Sequence, residues 1–114
     1  MAKVEIIRSL LDEIKKKFQG ESHKIIDLLE SLGENPKKGK LLGAVGGIVI
    51  KEIRYKKFRF YFITDEYKLR VMDADSLSEL LIRFVKMSDK KDQQKTINEI
   101  RKILTEIGSK GFIQ

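Results

Sequence analysis

Residues 48 to 72 are dense in β-branched and aromatic side chains, the types that favour a pleated, half-buried surface. Two turns divide this stretch into three predicted strands. With Lys56-Lys57 at the centre of the first turn, Tyr55 opposes Phe58, Arg54 opposes Arg59, Ile53 opposes Phe60 and Glu52 opposes Tyr61. With Asp65-Glu66 at the second, Thr64 opposes Tyr67, Phe62 opposes Leu69, Tyr61 opposes Arg70 and Phe60 opposes Val71. Successive side chains in a strand point to opposite faces. One face therefore collects Val49, Ile53, Phe58, Phe60, Phe62, Leu69 and Val71, with Lys51 as the exception. The other collects Glu52, Arg54, Arg59, Tyr61, Lys68 and Arg70. The first reads as a core, and the second as a basic surface left open to solvent or a ligand.

Helical spacing frames this sheet. Leu10, Leu11, Ile14 and Phe18 predict a first helix, with Ser9 as its N-cap and Gly20 at its end. Its Lys15-Lys16-Lys17 run falls in the last turn, where the helix dipole favours cations, and reads as a solvated face. Ile25, Ile26, Leu29 and Leu32 predict a second helix from about Ser22, stopped by Gly33; the two form a helical hairpin. His23, in its first turn, reads as an exposed residue without a special role. Lys3 to Ile7 fits either a short strand or the first turn of the helix that follows. Residues 34 to 40 form a loop, and Leu41 to Gly47 lead into the sheet. These glycines are followed by a strand and not by Gly-Lys-Ser/Thr, which excludes a nucleotide-binding P-loop. Glu79 to Lys86 predict a fourth strand. A last helix is capped by Ser88 or Asp89, striped by Ile97, Ile100, Ile103, Leu104 and Ile107, and closed by Gly108. Phe112 and Ile113 in the tail either dock on the domain or rest on a partner. The predicted fold class is α+β: a small antiparallel sheet of about four strands in a single domain spanning 1–114, with the helices packed on one face.

Charge sharpens the picture of the free face. From Lys37 to Arg70 there are ten Lys or Arg against three acids, which accounts for the whole net charge of +7. Such concentration points to an anionic partner such as nucleic acid, whereas composition bias of the thermophilic kind would scatter the lysines. The absence of cysteine excludes a disulfide framework and thiol chemistry, and one histidine excludes a His-rich metal site. Asp73-x-Asp75 could hold a hard cation, but two acids in a turn read first as a solvated loop. No apolar run approaches a membrane span and no leader pattern opens the chain, so the expected setting is cytoplasmic.

The motifs, in order, resemble the RelE/ParE toxin superfamily, most nearly its phage-derived HigB-like branch. The likeness rests on the approach Lys40-Leu41-Leu42-Gly43, the strand motif Glu52-Ile53-Arg54, the aromatic–Arg pair Phe58-Arg59, and the strand end Phe84-Val85-Lys86-Met87-Ser88 running into a terminal helix. Met87 stands where that pattern has a second lysine, and residues 73–79 read as an insertion. The resemblance implies a RelE-like fold and a toxin of a type II toxin–antitoxin system. Such a toxin would cleave mRNA, usually on the ribosome, without a metal or other cofactor, and be held inactive by a cognate antitoxin. Carried over by position, Arg59 is the phosphate-stabilising arginine, Arg54 the strand arginine and Lys86 the basic residue at the strand end.

Metal-free RNA cleavage requires a base for the ribose 2′-OH, positive charge on the phosphate oxygens and a proton for the leaving 5′-oxygen. Arg59, with Arg54 or Arg70 beside it, suits the phosphate because guanidinium is a permanently charged planar fork. Glu52, Tyr61, Tyr55 and Lys86 are candidates for proton transfer. Glu52 reads equally as a salt-bridge partner of its arginine neighbours, and Tyr61 as a stacking platform. Lys51, Lys56, Lys57, Lys68, Arg70 and Lys90 are the candidate RNA-binding cations. Two further readings stand beside the ribonuclease: a non-catalytic RNA- or DNA-binding module of the same fold, and a gyrase-poisoning toxin of the ParE type.

Overall fold

The computed structural model describes residues 1–71 and 79–112. In chain order the elements are β1 (Lys3–Ile6), α1 (Arg8–Phe18), α2 (Ser22–Glu30), β2 (Lys40–Val45), β3 (Ile48–Tyr55), β4 (Phe58–Asp65), α3 (Glu66–Arg70), β5 (Leu81–Asp89) and α4 (Gln93–Glu106). The architecture is α+β, and the five strands form one sheet in the order β1-β5-β4-β3-β2. β1 runs parallel to β5, with Lys3 opposite Leu81 and Ile6 opposite Phe84, while every other pairing is antiparallel. The sheet is thus mixed, and it has one strand more than expected.

The first hairpin has the anticipated register: Tyr55 opposes Phe58, Arg54 opposes Arg59, Ile53 opposes Phe60 and Glu52 opposes Tyr61. The second does not form. After Asp65 the chain turns into the short helix α3, and β4 takes β5 as its neighbour, with Arg59 opposite Ser88, Phe60 opposite Met87 and Tyr61 opposite Lys86. The cause is local. Asp65 Oδ1 accepts a hydrogen bond from Lys68 N at 2.8 Å, an N-cap, and Glu66 then pairs with Arg70 one turn on at 2.8 Å. Leu69 packs on the core from this helix, while Val71 is half exposed. Met72, Asp73 and Asp75 lie outside the described residues.

Strand β2 occupies the segment read as an approach, and the Gly46-Gly47 turn joins it to β3 with φ of 57° and 85°, values only glycine adopts freely. Lys3–Ile7 resolves as a strand because its amides find partners across the fold: Lys3 N donates to Leu80 O at 2.9 Å and Ile7 N to Phe84 O at 3.1 Å. α1 consequently begins at Arg8 after Ile7, and Ser9 does not cap it. β5 ends at Asp89, so the cap of the last helix moves from Ser88 or Asp89 to Asp92. Phe112 is buried against the domain; Ile113 lies outside the described residues.

The larger departure concerns the layers. Phe18 of α1 makes edge contacts with Phe58 (4.9 Å between centroids) and Tyr55, which share a face with Phe60 and Phe62. α4 packs on the opposite face. Its Glu99 pairs with Lys86 at 3.8 Å, and its Arg101 donates to Leu42 O at 3.2 Å while lying against Gly43, where a Cβ would collide with the guanidinium. The sheet therefore carries helices on both faces, and the supposedly open face is covered by Ile97, Ile100 and Leu104. Among the described residues no helix is long and apolar enough to cross a membrane.

A two-sided core makes a direct prediction. Phe60→Ala on the α1 face should cost about 3–5 kcal/mol, and Ile100→Ala on the α4 face about 2–5 kcal/mol, in urea unfolding. If α4 only grazed the sheet, the second change would be near neutral.

Candidate functional site

Glu52, Arg59, Tyr61 and Lys86 do come together, through the alternation of three adjacent strands and the registers Glu52–Tyr61 and Tyr61–Lys86. They come together as an interior. Arg59 is 5% exposed, Glu52 2% and Tyr61 0%, because α4 lies over them. Arg59 Nε is 3.7 Å from one Glu52 carboxylate oxygen, and Arg54 reaches the other at 3.9 Å. These separations hold charge against charge without a hydrogen bond; neither Glu52 oxygen nor Arg59 Nε has a hydrogen-bond partner among the described residues. Arg54 remains exposed. Of the two roles open to Glu52, the geometry supplies the salt-bridge partner.

Tyr61 is equally constrained. Its hydroxyl is 2.7 Å from Ser88 Oγ, and Ser88 in turn donates to Asp89 O at 2.9 Å. Ser88 has one proton to place on Asp89 O or on the Tyr61 oxygen, so either hydroxyl can donate in this pair. Burial raises the Tyr61 pKa, outweighing the opposite effect of the Ser88 hydrogen bond. Burial thus favours Tyr61 in its protonated form. Lys86 is half-buried and paired with Glu99, a residue of α4 that the strand pattern alone had no means to place there.

The expected RNA-binding cations divide by position. Lys51 points to the α1 face, is 5% exposed, donates to Lys37 O at 2.9 Å and lies 5.8 Å from the Phe62 ring; burial lowers its pKa. It belongs to the core and not to a nucleic-acid surface. Lys56 and Lys57 stand exposed at the β3–β4 turn, Lys56 bonded to Glu21 at 2.8 Å. That bond lowers the Glu21 pKa and raises the Lys56 pKa. Lys90 is exposed just beyond Asp89, which opposes Phe58, and so stands at the same end of the sheet. Lys68 and Arg70 sit on α3 at the other end of β4, about 25 Å away at ~3.4 Å per residue.

Lys38 and Lys40 belong with Lys56, Lys57 and Lys90 at the end of the sheet that holds the β3–β4 turn, although neither had been assigned a role. With Arg54 they line a recess of about 290 Å³ whose other walls are Leu28, Gly39, Glu52 and Ile53. The charge count from Lys37 onward was the signal that could have found them. Compared with known proteins, the chain matches no family model, no curated protein and no solved structure. Among the described residues no group of three or more His, Asp or Glu could hold a metal ion.

Removing one member of the buried pair should be costly. Arg59→Ala leaves buried Glu52 with only exposed Arg54, 3.9 Å away, as counter-charge and should destabilise the fold by about 3 kcal/mol, whereas Glu52→Leu combined with Arg59→Met should recover most of the loss. Tyr61 adds an alkaline signature. Its proton is held more tightly in the folded chain, so stability falls as pH rises from the ordinary value of 10.0 toward the folded one. Tyr61→Phe lacks this loss. The advantage of wild type over Tyr61→Phe, about 1 kcal/mol near neutrality from the Ser88 bond, should shrink above pH 10 in thermal melts.

Proposed function

We propose that the protein binds single-stranded RNA at the basic end of its sheet, as the toxin partner of a type II toxin–antitoxin pair. The observation that carries RNA binding is the recess shared by Lys38, Lys40 and Arg54, continued by exposed Lys56 and Lys57. The guanidinium of Arg54 suits a phosphate in two-point contact, the lysines supply point charges along a backbone, and Leu28 and Ile53 offer apolar wall to a base. The antitoxin and the ribosome rest on the motif resemblance.

Cleavage is the second reading, and a separate observation favours it. Glu52, Arg54, Arg59, Tyr61 and Lys86 converge from three strands beside this recess. In that reaction Arg54 would meet the phosphate first, Glu52, freed of Arg59, would accept the ribose 2′-OH proton, and protonated Tyr61 would give its proton to the leaving 5′-oxygen. Arg59 would have to exchange Glu52 for phosphate, which requires α4 to move. The buried pair therefore supports binding more directly than cutting. No specific observation favours the gyrase reading.

Labelled single-stranded RNA in an anisotropy titration tests the first reading. Lys38→Ala, Lys40→Ala and Arg54→Ala together should weaken binding at low salt and flatten the slope of log K against log salt by about 2. Unchanged binding would overturn the proposed surface. Expression in cells tests the second: growth arrest with cut mRNA, relieved by Arg59→Lys, which keeps the charge opposite Glu52 but loses the fork, means cleavage. Intact mRNA alongside retained RNA binding leaves binding alone.

A further inference from the structure

β5 is paired on one side along more of its length than on the other. β1 reaches only Leu81–Phe84, ending at the Ile7 N to Phe84 O bond, whereas β4 follows β5 as far as Asp89. Residues 85–89 therefore have a strand partner on one side alone among the described residues. At ~3.3 Å per residue this is about 17 Å of strand edge.

Two recesses lie end to end along that edge. The first, about 490 Å³, has Val85 and Lys86 on its floor, with Arg8 and Ser9 of α1 on one side and Ile103 and Phe112 on the other. The second, about 210 Å³, continues over Met87, Ser88 and Asp89, with Glu13 and Lys17 of α1 facing Lys95 and Glu99 of α4. All three elements advance together from one recess to the other. The Lys86–Glu99 ion pair joins them, since Lys86 lines the first and Glu99 the second. The result is a slot as long as the free edge, walled by a helix on each side.

We infer that this slot receives an extended peptide of another protein, which adds to β5 as a sixth strand. A strand edge offers backbone N–H and C=O groups to a chain with the same needs, whereas a helix has already satisfied its own. The walls set the side chains. At the first end Arg8 balances Asp12 and Lys86 is held by Glu99, which leaves it the more positive of the two ends and the better place for an acid. At the second, Glu13, Asp89, Asp92 and Glu99 outnumber Lys17 and Lys95 and call for lysine or arginine. Between them, Val85, Ile103, Phe58 and Met87 take apolar residues. The four carboxylates repel a phosphate backbone, so the slot and the RNA surface serve different partners and neither reading depends on the other. β2, the outer strand on the far side, carries exposed Leu41 and a lysine at its start and lines none of this slot.

The test uses isotope-labelled full-length protein and two synthetic probes, acetyl-Glu-Val-Thr-Val-Lys-Lys-amide for a parallel strand and acetyl-Lys-Lys-Val-Thr-Val-Glu-amide for an antiparallel one. One of them should shift the amide resonances of 85–89 and of the facing turns of α1 and α4, and slow amide exchange in 85–89. Glu13→Lys with Asp92→Lys, both exposed positions, should weaken that probe by about tenfold while RNA affinity holds or rises. Shifts confined to β2, or none with either probe, would overturn the inference. Concentration-dependent shifts at 85–89 without peptide would also overturn it, by making a second copy the occupant.

Discussion

β5 is hydrogen-bonded on one side to a strand that begins at Lys3 and on the other to one that ends at Asp65, so its position sets that of nearly every other element. The parallel pairing with β1 draws the N-terminus into the sheet and starts α1 across one face, where Phe18 meets Phe60 with 6.3 Å between ring centroids and Leu10 and Ile14 are buried in the core. The antiparallel pairing with β4 brings Ser88 to Tyr61 and aims the chain so that α4 returns along the other face. A five-stranded sheet with helices on both sides follows from where this one strand lies.

Covering the second face changes what its charges do. An arginine on an open sheet is a ligand site; the same arginine beneath a helix must find its counter-charge inside the protein, and Glu52 supplies it to Arg59. The neutralised pair leaves the exposed charge to the rim, where Arg54 joins the cations of the entering loop and of the β3–β4 turn. Arg54 and the exposed cations of those two loops consequently stand at an end of the sheet and not on its covered face.

Much of this was legible in the sequence and some was not. Alternation around Lys56-Lys57 predicted the hairpin register residue by residue; of the stripe predicted for α4, Ile97, Ile100 and Leu104 are buried and Ile103 partly so, whereas Ile107, beyond the helix end, is exposed. The misreading after Asp65 has a physical origin: Tyr67, Leu69 and Val71 keep a period of two, which over five residues does not exclude a helix, and the capping carboxylate decides between them. A four-residue strand such as β1 carries too little pattern of its own, since its partner lies some eighty residues away. Polarity misled at Glu52, Arg59 and Tyr61, which read as a surface because alternation reports which face a residue is on and not whether that face is covered. Lys51, noted as the exception in an apolar row, was the residue whose environment the pattern stated correctly.

The parallel contact between Lys3 and Leu81 also fixes an order of events during synthesis. Until β5 is made, β1 has no partner for its backbone and β4 lacks one neighbour; until α4 follows, the face holding Glu52, Arg59 and Tyr61 has no cover. Ring closure over so long a separation delays folding relative to a chain of local hairpins. The growing chain therefore displays its most basic segment, from Lys37 to Arg70, before α4 can cover Arg59. Completing the fold turns Lys51 and Arg59 inward and leaves the other eight cations of that segment exposed.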